Sequence, residues 1–170
     1  KRILILCVDR DGDLETKADI KTPLLGRDTN VNGAVSLAIK DPEEPDANAM
    51  FEAVRLYDRL NKEKKSEETF EVATISGSDL GSVSADRKLV GELNNLLETF
   101  PASEVILVSD GYSDEAILPL IESRVPVSSV RRIVIKHSES IEETAAIFTK
   151  YALLLMDNPR YARIALGIPG

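Results

Sequence analysis

The chain has 170 residues, of which 43% are hydrophobic and 29% are charged, and its formal net charge is −8. This length and composition suit one globular domain with a full core, and they exclude collagen-like and wholly disordered chains. The acidic balance argues against general nucleic-acid binding, because proteins that grip nucleic-acid phosphates display a basic face.

Short runs rich in Val, Ile and Leu predict strands that are buried on both faces. The runs span residues 3–8, 70–75, 105–108 and 130–135. Cys7 lies in the first run and is the only cysteine of the chain, so an intrachain disulfide and a zinc site made of cysteines are excluded. We interpret it as a small buried hydrophobe. The first run is too short for a signal peptide or a membrane span, which favours a reducing, intracellular compartment.

Apolar residues recur at helical spacing between these runs, as expected for helices that cover a parallel sheet. The predicted helices cover about 31–39, 46–60, 84–97, 117–121 and 141–155. Asp46 and Ser84 are the predicted N-caps of the second and third, and Ser140 with Glu143 forms a capping box for the last. The pattern predicts a Rossmann-like three-layer α/β/α domain over residues 1–157, with a mainly parallel sheet of four or five strands.

Two segments depart from the alternation of predicted strands and helices. Residues 9–46 contain only one predicted helix, and a loop of that length is usually functional or mobile, so we expect it to fold over the binding crevice. Residues 61–69 form a run of mixed charges, which we interpret as a solvated helix end and turn.

Carboxylates follow the first strand, at the edge where open parallel sheets bind ligands. Asp9, Asp11 and Asp13 stand on alternate residues, and in an extended chain they share one face. Hard cations such as Mg²⁺ take oxygen ligands and often combine one or two carboxylates with substrate phosphates. The spacing therefore predicts a Mg²⁺ site.

The next two strands also end in polar residues. Ser76, Gly77 and Ser78 lead into a helix, and the free backbone amides of such a turn bind phosphate. Asp110 ends the third strand, and Asp114 opens the helix after it. The predicted metal ligands are Asp9, Asp11, Asp110 and Asp114. Contacts to a small phosphorylated ligand are predicted for Asp13, Ser76, Gly77, Ser78, Ser109 and Gly111.

Several motifs of the chain occur together in one known family. They are residues 1–14 with their Asp-Arg-Asp-Gly-Asp motif, Ile20-Lys21-Thr22-Pro23, Gly26-Arg27, Ser76-Gly77-Ser78, Ser84-Ala85-Asp86, Val108-Ser109-Asp110-Gly111, Asp114-Glu115 and Pro119. In these motifs the chain resembles the archaeal domain-of-unknown-function family 373 over essentially its whole length. Members of that family look like membrane proteins with a soluble N-terminal domain, which implies that this chain is the cytoplasmic part of one. Residues 158–170, basic and then increasingly apolar, are expected to lead toward the membrane.

Parts of the predicted site also resemble two groups of hydrolases. Asp9 with Asp11, Ser76, and Asp110 with Asp114 are similar to the motifs of haloacid-dehalogenase-type phosphatases, although Asp13 stands where that group has Thr or Val. Residues 108–114 and 118–120 are similar to the third acidic motif of PilT N-terminal-type nucleases.

These resemblances leave three functions open. The first is a module that binds a divalent cation and a phosphorylated ligand. The second is a metal-dependent phosphoester hydrolase, either phosphatase-like with Asp9 as nucleophile and Asp11 as acid/base, or nuclease-like with every carboxylate serving the metal. The third is a docking platform for another protein.

Overall fold

A computed structural model describes residues 1–111, 114–133 and 147–154, without the side chains of residues 114 and 115. The elements in chain order are β1 (Arg2–Asp9), α1 (Asp13–Ala18), β2 (Leu24–Leu25), α2 (Arg27–Lys40), α3 (Pro45–Glu63), β3 (Thr69–Ser76), α4 (Ser82–Thr99), β4 (Glu104–Ser109), α5 (Asp114–Glu122) and β5 (Val127–Arg132). Residues 147–154 are also helical. Of the helices in this description, none is both long enough and apolar enough to cross a membrane.

The five strands form one sheet in the order β2-β3-β1-β4-β5. Strand β1 lies in the middle and is parallel to β3 and β4, and β4 is parallel to β5. Only the two-residue β2 runs antiparallel to its neighbour β3. The predicted mainly parallel sheet is confirmed.

The side chains of β1 alternate between two apolar layers. Ile3, Ile5 and Cys7 belong to the core that contains α2 and α3. Leu4 and Leu6 belong to the core on the other face, with α4 and α5. A strand that is buried on both faces needs this uninterrupted apolar sequence, and the result is the predicted three-layer α/β/α fold.

The position of the crevice follows from the strand order. After β1 the chain passes to α2 and α3 on one face of the sheet, and after the neighbouring β4 it passes to α5 on the other face. Two adjacent strands whose connections leave in opposite directions form a topological switch point, where ligands of open α/β sheets bind. The carboxyl ends of β1 and β4 therefore flank the expected binding crevice.

The prediction that residues 9–46 form a long loop with a single helix at 31–39 is wrong, because the segment also contains α1 and β2, and α2 begins at Arg27. Gly12 has a φ of 76°, a left-handed conformation that glycine adopts without strain, and this turn starts α1 directly after β1. Asp13 is consequently helical, and the three carboxylates after β1 do not alternate along an extended chain.

Both predicted caps within the described helices are also wrong. The N-cap of α3 is Glu44, whose carboxylate accepts a 3.3 Å hydrogen bond from the Asp46 amide. Pro45 takes the first helical position, where its missing N–H costs nothing. Helix α4 has Gly81 as its N-cap and starts before Ser84.

The remaining elements agree more closely with the predictions made from the sequence. The mixed-charge segment connects the end of α3 to the start of β3 and is largely exposed, as predicted. Strand β5 begins at Val127, three residues before the predicted start at residue 130. The capping box of Ser140 and Glu143 lies outside the described residues.

Candidate functional site

Three carboxylates meet beside the carboxyl end of β1. Asp9, Asp13 and Asp46 each offer an oxygen atom, and these atoms all lie within 4.8 Å of one another. Asp9 is the last residue of β1, Asp13 is the first residue of α1, and Asp46 lies in the first turn of α3. The turn at Gly12 brings α1 back over the strand end, so that residues four apart in the sequence converge.

Asp9 is the most firmly held of the three. It is 1% exposed. Its Oδ1 atom accepts a 3.0 Å hydrogen bond from the Asp13 amide, and its Oδ2 atom accepts bonds of 2.9 Å from the Leu14 amide and 3.0 Å from the Ser76 hydroxyl. Asp9 thereby satisfies two amides of the first turn of α1, in the manner of an N-cap residue.

Burial and the closeness of the three carboxylates change the protonation of the cluster. Burial, together with the nearby charge of Asp9, raises the pKa of Asp46 to about 11. The pKa of Asp13 is also raised, chiefly by burial and then by the nearby charges of Glu44 and Asp9. Without a cation, Asp46 therefore keeps its proton at neutral pH, as close buried carboxylates do.

Asp13 and Asp46 of the cluster line a cavity of ≈ 330 Å³ that opens at the switch point between β1 and β4. The cavity wall is predominantly charged, with carboxylates in excess over basic groups. Its polar lining consists of Arg10, Asp11, Asp13, Lys17, Glu44, Asp46 and Asp110.

Two basic side chains reach this cavity. Lys17, in the last turn of α1, donates hydrogen bonds of 2.9 Å to Asp41 and 2.5 Å to Glu44. Arg10 contacts Asp86 only at 3.5 Å, and its buried Nε–H has no acceptor among the described residues. The guanidinium of Arg10 is therefore not fixed in a bidentate ion pair.

The predicted metal ligands occupy different parts of this arrangement. Asp9 belongs to the carboxylate cluster. Asp11 and Asp110 lie on the cavity wall outside that cluster. Asp114 is the first residue of α5, and its side chain is outside the description. Asp13, predicted as a ligand contact, is a member of the cluster and also lines the cavity.

The predicted phosphate loop does not line this cavity. Ser76 is fully buried, with its hydroxyl on Asp9 and its amide on Glu92. Gly77 and Ser78 line a separate cavity of ≈ 230 Å³ beside Lys88.

At the end of β4, the side-chain oxygen of Ser109 accepts a 2.9 Å hydrogen bond from the Gly111 amide. This bond joins two of the predicted ligand contacts to each other.

Sequence reasoning missed four members of the site, namely Arg10, Lys17, Glu44 and Asp46. Asp46 was interpreted as a helix cap, and Lys17 lay in a segment predicted to be a loop. The useful signal was the position of Glu44 and Asp46 at the start of α3, because that helix packs on β1. Its N-terminus must therefore lie near one end of β1.

Comparison with known proteins assigns the chain to a family. The model described as "Domain of unknown function (DUF373)" matches residues 2–170. The chain belongs to this family. The resemblance inferred from the sequence motifs is thus confirmed, and the family's description assigns no activity.

Two relatives from archaea share most of the chain. An uncharacterized protein of Archaeoglobus fulgidus is 40% identical over 164 residues, which cover 96% of this chain and 46% of that protein. Uncharacterized protein MJ1032 of Methanocaldococcus jannaschii is 35% identical over 158 residues, which cover 92% of this chain and 42% of that protein. The chain thus spans less than half the length of these relatives. No solved structure matches it.

Proposed function

We propose that this domain binds a divalent cation, Mg²⁺ in the cell, at Asp9, Asp13 and Asp46, together with a phosphorylated ligand in the adjoining crevice. The observation that carries the proposal is the convergence of three carboxylate oxygens within 4.8 Å at the switch point of the sheet. Burial, and after it the nearby charge of Asp9, disfavours an ionised Asp46 in the absence of a cation, and a bound cation would offset both costs.

The coordination chemistry of Mg²⁺ supports a shared site. Mg²⁺ takes about six oxygen ligands and usually keeps several waters or substrate phosphate oxygens among them. Asp13 and Asp46 line the ≈ 330 Å³ cavity, so a phosphate group in the cavity would lie next to a cation held by the cluster. Arg10 and Lys17 line the same cavity and supply positive charge for a phosphate bound to the cation.

Calorimetric titration with Mn²⁺ and Mg²⁺, paired with thermal melts, tests the cation site. We expect millimolar cation to raise the melting temperature of the native domain by mass action, and Asp46→Asn to abolish the increase. Asp28→Asn is the matched control, because Asp28 is 83% exposed on α2 and outside the cluster. Equal responses of the two variants would refute the proposal.

The geometry favours binding over a phosphatase mechanism. A nucleophilic carboxylate must reach the phosphorus atom of a substrate in the crevice, but Asp9 is 1% exposed and does not line that cavity. Metal-dependent turnover of p-nitrophenyl phosphate that disappears in Asp9→Asn would overturn this preference. The nuclease-like alternative predicts metal-dependent cleavage of single-stranded RNA, and the same assay series includes that substrate.

We also propose that the domain is the cytoplasmic part of a membrane protein. The support is the sequence of residues 158–170, in which Arg160, Tyr161 and Arg163 precede an apolar stretch. Tyrosine and arginine are typical of a membrane interface on the cytoplasmic side.

A further inference from the structure

The ammonium group of Lys17 sits among carboxylates that face the crevice. Its Nζ atom lies 2.5 Å from Glu44 Oε2, 2.9 Å from Asp41 Oδ2 and 3.8 Å from Asp13 Oδ1. A lysine side chain that donates hydrogen bonds to two carboxylates is protonated at neutral pH. The group is therefore a permanent positive charge at neutral pH.

Asp13 is common to this ion-pair group and to the carboxylate cluster. It contributes an oxygen to the proposed cation site, and it also lies within salt-bridge distance of Lys17. Lys17 and Asp13 line the same cavity. A cation bound at the cluster thus has an ammonium group as a close neighbour, and the two positive charges repel each other.

The position of Lys17 is fixed by the fold. Asp41 ends α2 and Glu44 caps α3, and Lys17 contacts both from the end of α1. Three helices hold the ammonium in place, so it cannot withdraw from an arriving cation without breaking two charge-assisted hydrogen bonds.

We infer that Lys17 makes the crevice selective for a divalent cation that carries a phosphate group over the bare cation. This inference rests on the proposed function. The only effect of Lys17 on a bare cation bound at the cluster is repulsion. A phosphate oxygen bridging the cation and the ammonium converts that repulsion into two attractions, so cation and phosphate bind with positive coupling.

The test is a titration of the whole domain with Mn²⁺, alone and in the presence of methyl phosphate. For the native protein, we expect methyl phosphate to tighten Mn²⁺ binding by about tenfold, a typical coupling between two ligands. In Lys17→Met, the removal of the neighbouring charge tightens the binding of Mn²⁺ alone by about tenfold, and most of the phosphate effect disappears. A merely structural role for Lys17 would weaken binding instead.

Two further variants serve as controls. Lys17→Arg keeps the charge and retains the native behaviour. Asp41→Asn weakens the attachment of Lys17 but leaves its charge, and we expect the phosphate effect to persist.

The possible failures are distinguishable. Equal Mn²⁺ affinity, or weaker affinity, in Lys17→Met than in the native protein overturns the role of Lys17 and leaves the cation site standing. If methyl phosphate still tightens Mn²⁺ binding to Lys17→Met, the role of Lys17 is likewise overturned and the cation site still stands. Absence of Mn²⁺ binding in every variant removes the proposed function and this inference together.

Discussion

The hydroxyl of Ser76 donates a 3.0 Å hydrogen bond to Oδ2 of Asp9, and the two residues are register partners at the carboxyl ends of β3 and β1. The amide of Ser76 in turn donates to Glu92 on α4, and its carbonyl accepts from Lys88. The sheet register, together with a polar network that includes α4, therefore fixes the orientation of the Asp9 carboxylate.

Replacing Ser76 with alanine should destabilise the domain. The change removes a hydrogen bond to a buried carboxylate, and we expect a loss of about 2 kcal/mol in the free energy of unfolding. Urea denaturation with a chelator present measures the loss. Ser78→Ala is the control, because the Ser78 hydroxyl only accepts a bond from the Leu80 amide in an exposed turn. Equal stability of the two variants would contradict the role of the Ser76–Asp9 bond.

A pair of glycine substitutions tests the close contact between the loops that follow β1 and β3. A Cβ atom at Gly77 would lie 2.1 Å from the carbonyl oxygen of Arg10, whereas a Cβ at Gly91 on α4 would meet nothing within 4 Å. We expect Gly77→Ala to cost more than about 2 kcal/mol, because the backbone must move.

Gly91→Ala is the matched partner of that experiment. Alanine restricts the unfolded chain and favours the helix, so we expect a gain of about 0.5 to 1 kcal/mol. Thermal melts of the two variants under identical conditions provide the comparison. If Gly77→Ala leaves the melting temperature unchanged, the two loops do not approach each other this closely.

The fold was predictable from the sequence because its signals are strong and local. The apolar run of β1 has no polar interruption, and this indicated a strand buried on both faces. Segment 9–46 was not predictable in the same way, since its structure depends on tertiary context. Helix α1 has six residues, too few to be stable alone, and Asp9 caps it from the preceding strand.

The candidate site was predictable only in part, for a related reason. The sequence placed Asp9 at the carboxyl end of a central strand, which is a topological argument that needs no coordinates. Asp46 reaches the same point from a helix 37 positions later in the sequence, and only the packing of α3 on β1 brings it there. Local spacing therefore favoured Asp11, which the fold directs to the cavity wall instead.

The membrane assignment makes a prediction about the gene. We expect the reading frame after Gly170 to encode hydrophobic segments of about 20 residues, the length that spans a bilayer as a helix. Translation of the downstream sequence is the measurement. A polar continuation, or a stop codon directly after Gly170, would refute the assignment without affecting the proposed cation site.

The protonation of Asp46 predicts how stability depends on pH. Its pKa of about 11 in the folded domain lies far above the value of about 4 expected in the unfolded chain. Between these values the folded domain holds a proton that the unfolded chain has released, so the stabilisation is complete below about pH 4 and declines as the pH rises.

Unfolding by urea between pH 5.5 and 8.5, with chelator present, measures this dependence. We expect the free energy of unfolding to fall by at most about 1.4 kcal/mol per pH unit, the limit for one proton. Asp46→Asn should flatten the slope, although Asp13 retains a share because its pKa is also raised. Asp28→Asn should keep the native slope. Added Mn²⁺ should reduce the slope in the native domain, because the cation binds ionised carboxylates. Identical slopes for the native domain and Asp46→Asn would contradict the raised pKa of Asp46, and would remove that support from the proposed cation site.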